Sequence, residues 1–427
     1  MKKDWIKNAN ELAIDDNRKI ALDIISSGLD AIDTKFVIRN KIQLEGEILH
    51  VEDQIFDLSL FKKITVIGFG KASIAATQAL EEILGSRING GAVVGTTEDK
   101  CSYVETFVGT HPRPSIQNVR AGERITDLVK NSTADDLVIA IVSGGGSALF
   151  CSSLDECTQG AALYDAYLSS GKSIGEMNIV RKHLSYLKGG GLAKVAYPAT
   201  VVGLLFSDVP GNHFEDIASG PTYKDNSTTV DAQRIVDKYN LGSYDLIETP
   251  KEDKYFENVH NFVLVSNDIA VSAMKKRCEE LNFGSQVLSL ELYENIEDVV
   301  LKLCNKDIAP GSAVLGAGEP KIEVTEKGGM GGRNTHMALT ALHKNLVPSD
   351  SVFISFASDG KDNTPYAGAI VDKNTIRKFQ ELKIDSADYL KRFDSGSAFL
   401  LSKDLIDTGP TGANVSDLML FLKLNNK

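Results

Sequence analysis

No stretch of the 427 residues stays apolar for the ~18 positions a membrane-spanning helix needs, so none is expected. Cysteine is scarce. Cys101, Cys151, Cys157, Cys278 and Cys304 are odd in number and lack metal-ligand spacing. They are expected to be reduced thiols in a cytoplasmic protein. Positive charge is also in deficit, with a formal net charge of −12. That argues against nucleic acid or an anionic membrane held by a general basic surface, so an anionic ligand would need a local cluster of cations. Met-Lys-Lys-Asp-Trp5 has no apolar stretch behind its lysines, and no signal peptide is expected. Internal repeats, low-complexity tracts and a G-x-S-x-G signature are missing. Glycine outnumbers proline 36 to 11, the balance of an α/β chain with many tight turns.

Apolar periodicity predicts helix over 18–32 and extended chain over 42–51, then a regular alternation. Strands are expected at 63–69, 91–96, 136–142 and 199–206, with helices at 72–84, 118–130, 159–168 and 231–239. The mixed stretch 240–261 is a candidate boundary. A second series follows: strands at 262–266, 286–290, 312–315 and 351–356, with helices at 269–281 and 334–343. This pattern implies two three-layer α/β domains, 1–245 and 246–427. The first is expected to be Rossmann-like with a mostly parallel sheet, the second smaller with a mixed sheet.

One acid-free stretch stands out. From Met177 to Ser207 there is no Asp or Glu, where the chain average predicts about four. Ser173-x-x-Glu176 is expected to cap a helix there, with Gly189 to Gly191 ending it. At helical spacing Asn178, Arg181, Ser185 and Lys188 share one stripe.

In open α/β sheets ligands bind beyond the carboxyl ends of the strands. The strand 63–69 runs into Gly68-Phe-Gly70-Lys71, a turn open to an anion. A nicotinamide cofactor is disfavoured, because Ser73 replaces the third glycine and no acid ends Val93-Val-Gly-Thr-Thr97. After the strand 136–142 comes Ser143-Gly144-Gly145-Gly146-Ser147, where a phosphate is the natural guest. Asp208 ends the strand 199–206, suited to holding a metal ion or taking a hydroxyl proton. Gly328-Gly-Met-Gly-Gly-Arg333-Asn334 opens a helix, and Ser358-Asp359-Gly-Lys-Asp362 follows a strand. A plain turn explains any one of these. Together, cations, glycine loops and strand-end aspartates suit phosphoryl transfer, which needs positioning and charge more than covalent help.

The motifs resemble the class II glycerate 2-kinases, two-domain enzymes whose C-terminal part is the MOFRL domain. The similar segments are Gly68-Phe-Gly-Lys-Ala72, Gly109-Thr-His-Pro112, Ser143-Gly-Gly-Gly-Ser-Ala-Leu149, Glu176-Met-Asn-Ile-Val-Arg-Lys-His-Leu-Ser185, Lys188-Gly-Gly190, Ser207-Asp-Val209 and Ile217-Ala-Ser-Gly-Pro-Thr222. They continue with Gly331-Gly-Arg-Asn334, Ser358-Asp-Gly360 and Thr408-Gly-Pro-Thr-Gly-Ala-Asn-Val415, in the family's order and nearly end to end. The resemblance implies ATP- and Mg²⁺-dependent phosphorylation of D-glycerate at its C2 hydroxyl, in a cleft between the domains. It makes Lys71, Asp208 and Arg333 the catalytic candidates. Gly70, Ser143 to Ser147, Arg181, Lys188 and Asn334 would bind phosphate or substrate, Asp359 and Asp362 the metal. Arg333 is expected to be the better carboxylate clamp, since arginine grips bidentately. A homodimer is compatible with the resemblance.

Four acidic positions of the family pattern are lost or moved. Thr335-His336 replaces Gln-Glu, Asp362-Asn363 replaces a second Asp-Gly, Gly211-Asn212 replaces Gly-Asp, and Pro112-Arg-Pro-Ser115 ends in serine. These departures bear on the acceptor. The alternatives are a kinase of another hydroxy acid or aldonate, a non-catalytic binder of a phosphorylated ligand, and a nicotinamide-dependent hydroxy-acid dehydrogenase. His111 and His183 are weighed as structural histidines before titrating ones.

Overall fold

The computed structural model describes residues 4–170, 174–209, 211, 213–304, 307–324 and 328–425. Ser173 of the expected capping box and Asn212 lie outside the described residues. The chain is α/β and divides into two compact units. A parallel-sheet unit takes the described residues within Thr34–Val209 and His213–Leu264. A mixed-sheet unit takes the described residues within Met1–Asp33, Pro210–Asn212 and Val265–Lys427. The expected division at 245/246 therefore differs from the observed one at both ends of the first domain. The first 33 residues fold with the C-terminal part because Arg18 is fully buried there. It donates to Asp372 at 2.9 and 2.7 Å and to Asp404 at 2.8 Å.

In the parallel-sheet unit a small antiparallel sheet comes first: β1 Ile42–Glu45, β2 Ile48–Val51 and β3 Gln54–Asp57. The main sheet holds β4 Lys63–Phe69, β5 Gly90–Gly95, β6 Glu105–Val108, β7 Asp136–Ser143, β8 Thr200–Phe206 and β9 Val259–Val265. Their spatial order is β6-β5-β4-β7-β8-β9. The pairings among β4 to β8 are parallel. Every residue of β7 is buried, as its unbroken run Leu-Val-Ile-Ala-Ile-Val requires of a central strand covered on both faces. β9 had been expected to open the second domain. It closes this sheet instead, because Asn258 O accepts from Val201 N at 2.8 Å and the Asn261 side chain meets Thr222 at 2.8 Å.

The mixed-sheet unit orders its strands β10-β11-β15-β12-β13-β14, where β10 is Gly284–Leu292, β11 Ser312–Gly318, β12 Ser351–Ala357, β13 Gly368–Val371, β14 Leu405–Ile406 and β15 Asp417–Lys423. β10 and β11 pair in parallel, and the pairs β11/β15, β15/β12, β12/β13 and β13/β14 are antiparallel. Its core packs Met337, Phe353, Phe399 and Phe421. No helix among the described residues is long and apolar enough to cross a membrane.

Candidate active site

The parallel sheet reverses its winding between β4 and β7, since the chain runs outward through β5 and β6 and then returns to the other side of β4. Loops at such a point splay apart and leave a crevice beyond the strand ends. The loops here are the two glycine-rich ones. They touch: Lys71 N donates to Gly144 O at 2.9 Å, and Ala72 N to Ser143 Oγ at 3.1 Å.

Each glycine has a steric reason within the protein. Gly70 has φ +120°, and a Cβ there would lie 2.2 Å from Ser143 Oγ. A Cβ on Gly144 would lie 2.2 Å from Asp208 Oδ2, so glycine is what lets the Asp208 carboxylate rest against this backbone. Gly145 has φ +79° and faces His111 and the Lys71 chain, where a Cβ would stand 3.0 Å and 3.3 Å away. Gly146 makes room for Ala218, and Ser147 Oγ meets Ser219 Oγ at 2.9 Å. Ala218 and Ser219 themselves adopt left-handed backbone, φ 51° and 62°, a strain that non-glycine residues keep only where the surroundings enforce it.

Asp208, Lys71 and His111 thus share one glycine corner. Burial, together with the charges of Lys71 and Arg181, drives the His111 pKa down to about 4. His111 was weighed as structural, and its neighbours put it among the cations. Arg181 is partly buried and makes no hydrogen bond or ion pair among the described residues. Burial pulls its pKa down to about 10, leaving it charged at neutral pH. It lines a small pocket with Pro112, Ser147 and Tyr164.

The expected basic stripe needs correction. The helix is Ile174–Lys182 and does not reach Ser185 or Lys188. It ends because the His183 carbonyl accepts from Ile247 N at 2.8 Å, and the His183 ring is fixed by Ile247 O and Ser227 Oγ. Gly189 and Gly190, both at positive φ, turn the chain into the next helix, Gly191–Ala196. Lys188, expected to bind phosphate, is engaged within the protein. It forms a buried ion pair with Glu156. Burial pushes the Glu156 carboxyl up, but Lys188 and the Ser152 donors outweigh it and hold it below its ordinary range. His183 is a satisfied core histidine.

Cys151 and Cys157 stand sulfur to sulfur with Cα atoms 5.9 Å apart, a pair placed to form a disulfide where five separate thiols were expected. Six residues of turn and first helical turn bring the two sulfurs face to face.

In the mixed-sheet unit Arg333 and Asn334 begin the helix Arg333–His343. Arg333 Nε donates to Asp417 Oδ2 at 2.6 Å, and Glu319 lies 3.7 Å from the guanidinium. Burial is the main force lifting the Asp417 pKa to about 7, with Asp362 and Glu319 adding to it against the pull of Arg333. Asn334 is buried and fully used, donating to Asp362 and Asp417 and accepting from Ser355. It positions Asp417 and is not open to a ligand, contrary to expectation.

Asp362 also departs from its expected role. Oδ1 accepts from Asn334 N at 2.9 Å and Asn334 Nδ2 at 3.2 Å; Oδ2 accepts from Thr335 N at 2.8 Å and Thr335 Oγ1 at 2.9 Å. That carboxylate caps a helix start. Asp359 Oδ1 accepts from Lys361 N at 2.9 Å. With Asp362 so engaged the pair does not fit a Mg²⁺ ion. No cluster of three or more metal-type side chains occurs among the described residues.

Two family models match the chain: a domain of unknown function, DUF4147, over residues 20–248, and the MOFRL family over 312–417. A protein from Pyrococcus horikoshii named glycerate 2-kinase is 32% identical, across 95% of this chain and 97% of its own length. One from Thermotoga maritima named D-glycerate 2-kinase is 31% identical, across 95% and 98%. The crystal structure of a Thermotoga maritima glycerate kinase superposes with a TM-score of 0.82 at 29% identity, covering 95% of this chain and 99% of that one.

Proposed function

Since the chain belongs to the glycerate 2-kinase family, we propose that it transfers the terminal phosphoryl group of ATP to the C2 hydroxyl of D-glycerate. The observation that carries this reading is the glycine corner. There a carboxylate, Asp208, rests on Gly144, beside Lys71 and with Arg181 bearing on the same His111. A carboxylate placed there can take the hydroxyl proton as the oxygen forms its bond to phosphorus. The bond from phosphorus to the bridging oxygen breaks, and ADP leaves with that electron pair. Lys71 balances charge on the transferring group.

Arg181 is better suited than Arg333 to hold the substrate carboxylate. Arg333 already serves Asp417, whereas Arg181 has no partner among the described residues.

The test supplies ATP, Mg²⁺ and D-glycerate, then adds enolase without any mutase. Phosphoenolpyruvate supports both the acceptor and the C2 position. ADP release with other hydroxy acids but not glycerate would replace the acceptor. Nucleotide binding without turnover would favour a binding protein, and NADH oxidation with a 2-oxo acid a dehydrogenase.

Two further results are expected. Arg181→Ala should raise the KM for glycerate about 10- to 100-fold with a smaller change in kcat, the size of one charged hydrogen-bonded contact. An unchanged KM removes Arg181 from the acceptor site. The raised Asp417 pKa means this group is protonated below about pH 7 and gains a negative charge above it. That charge offsets Arg333, so the KM for ATP should rise about fivefold between pH 6 and 8, roughly 1 kcal/mol of screened repulsion. The slope should vanish in Asp417→Asn; a persistent slope assigns it elsewhere.

A further inference from the structure

A cavity of about 300 Å³ opens within the mixed-sheet unit. That is at the lower end of the range for cofactor and ligand sites and still more than a three-carbon acid requires. Its lining combines two chemistries. The His336 ring stacks over Phe393 with centroids 5.6 Å apart and planes 20° apart, and Ile322 and Val324 also line the cavity. Arg333 and Lys361 line it too, with Asp362 and Asp417, and the exposed Lys361 ammonium has no partner among the described residues.

The aromatic wall is maintained against a backbone penalty. Phe393 follows the helix Ser386–Lys391 at φ 50°, the left-handed position that glycine normally takes after a helix. A bulky residue there loses about 1–2 kcal/mol. Strain of this kind persists where the side chain is needed. The His336 ring makes no hydrogen bond among the described residues, and burial lowers its pKa to about 4, so it is a flat, uncharged surface at neutral pH.

We propose that this cavity binds the nucleotide co-substrate, with the purine against His336 and Phe393 and the phosphates toward Lys361 and Arg333. The inference rests on the ATP-dependent reading above and adds which unit holds the nucleotide and by which side chains. It also relocates one departure from the family pattern. The change from an acid to His336 then falls at the nucleotide end and leaves the acceptor untouched.

The test is a fluorescence titration of the full-length protein with mant-ADP. His336→Ala and Phe393→Asn should each raise Kd about tenfold, within the ~1–3 kcal/mol of a base stacked on an aromatic ring. Asparagine tolerates left-handed backbone, so Phe393→Asn retains the fold, which its melting temperature checks. Lys361→Ala should weaken binding several-fold. Displacement of mant-ADP by tripolyphosphate should require the same tripolyphosphate affinity in His336→Ala as in the parent protein, because only the base wall has changed. Arg181→Ala should bind mant-ADP within twofold of the parent.

Parent-like mant-ADP affinity in both His336→Ala and Phe393→Asn overturns the proposal. So does loss of binding confined to Lys71→Ala or Arg181→Ala, or no binding to the parent protein at all. Mant-ADP bound as described, with no phosphorylation of glycerate, would instead remove the acceptor assignment and leave the nucleotide site standing.

Discussion

Lys71→Ala is expected to lower kcat for glycerate phosphorylation by about 10²- to 10³-fold, the usual loss when one donor to a developing charge is removed. Two features of Lys71 support an effect of that size on rate rather than on folding. Its backbone N–H holds the loop to Gly144, and alanine keeps that bond. Its side chain is exposed and lies along Gly145, so truncation opens no core cavity and should shift stability by less than about 0.5 kcal/mol. The loss should fall on kcat more than on KM, because charge on the transferring oxygens is greatest in the transition state. Steady-state kinetics beside a thermal melt decides it. Activity within threefold of the parent would take Lys71 out of the machinery.

Arg18→Met should destabilise the mixed-sheet unit by about 3–5 kcal/mol, the usual result of stripping one partner from a buried ion cluster. The guanidinium is fully buried between Asp372 and Asp404, with Thr375 accepting a further bond. Burial pushes the Asp372 carboxyl up, but the hydrogen bonds and charge of Arg18 outweigh it and bring its pKa to about 2. A carboxyl depressed below its unfolded value stabilises the fold fully above about pH 4, and that stability is lost as the pH falls toward 2. In Arg18→Met Asp404 keeps Lys378 at 2.8 Å but Asp372 stays buried without its cation, so the Asp372 pKa should climb and the sign should invert. The variant should gain stability on acidification from pH 7 to 5. Denaturant melts at the two pH values test this. A loss below about 1 kcal/mol at pH 7 would show that the cluster holds less than its burial implies.

Local chemistry carried most of the correct expectations. The strands 63–69, 136–142 and 199–206, and the glycine loops after the first two, followed from short-range signals: an apolar run, a turn residue, a helix start. What pattern could not supply was partnership over long separations. Nothing near Lys188 in sequence identifies Glu156 as its counter-ion, and nothing near Asp362 shows that its oxygens cap a helix beginning 29 residues earlier at Arg333. Each aspartate or lysine on a loop therefore had two equally local readings, and burial chose between them. Two signals were present and passed over. Leu418 to Leu422 is an apolar run between Asp417 and Lys423, the profile of the central strand β15. Cys151 and Cys157 sit one helical turn and a bend apart, near enough to join.

The burial of Arg18 against Asp372, 354 positions downstream, has a consequence for the order of assembly. A ribosome releases the amino-terminal helix first, yet its ionic counterparts emerge only after the whole intervening parallel-sheet body, and β15 later still. The parallel-sheet body, in contrast, has all its main-sheet strands once residue 265 is clear of the exit tunnel. Vectorial synthesis thus leaves that segment without its ionic counterparts for most of translation.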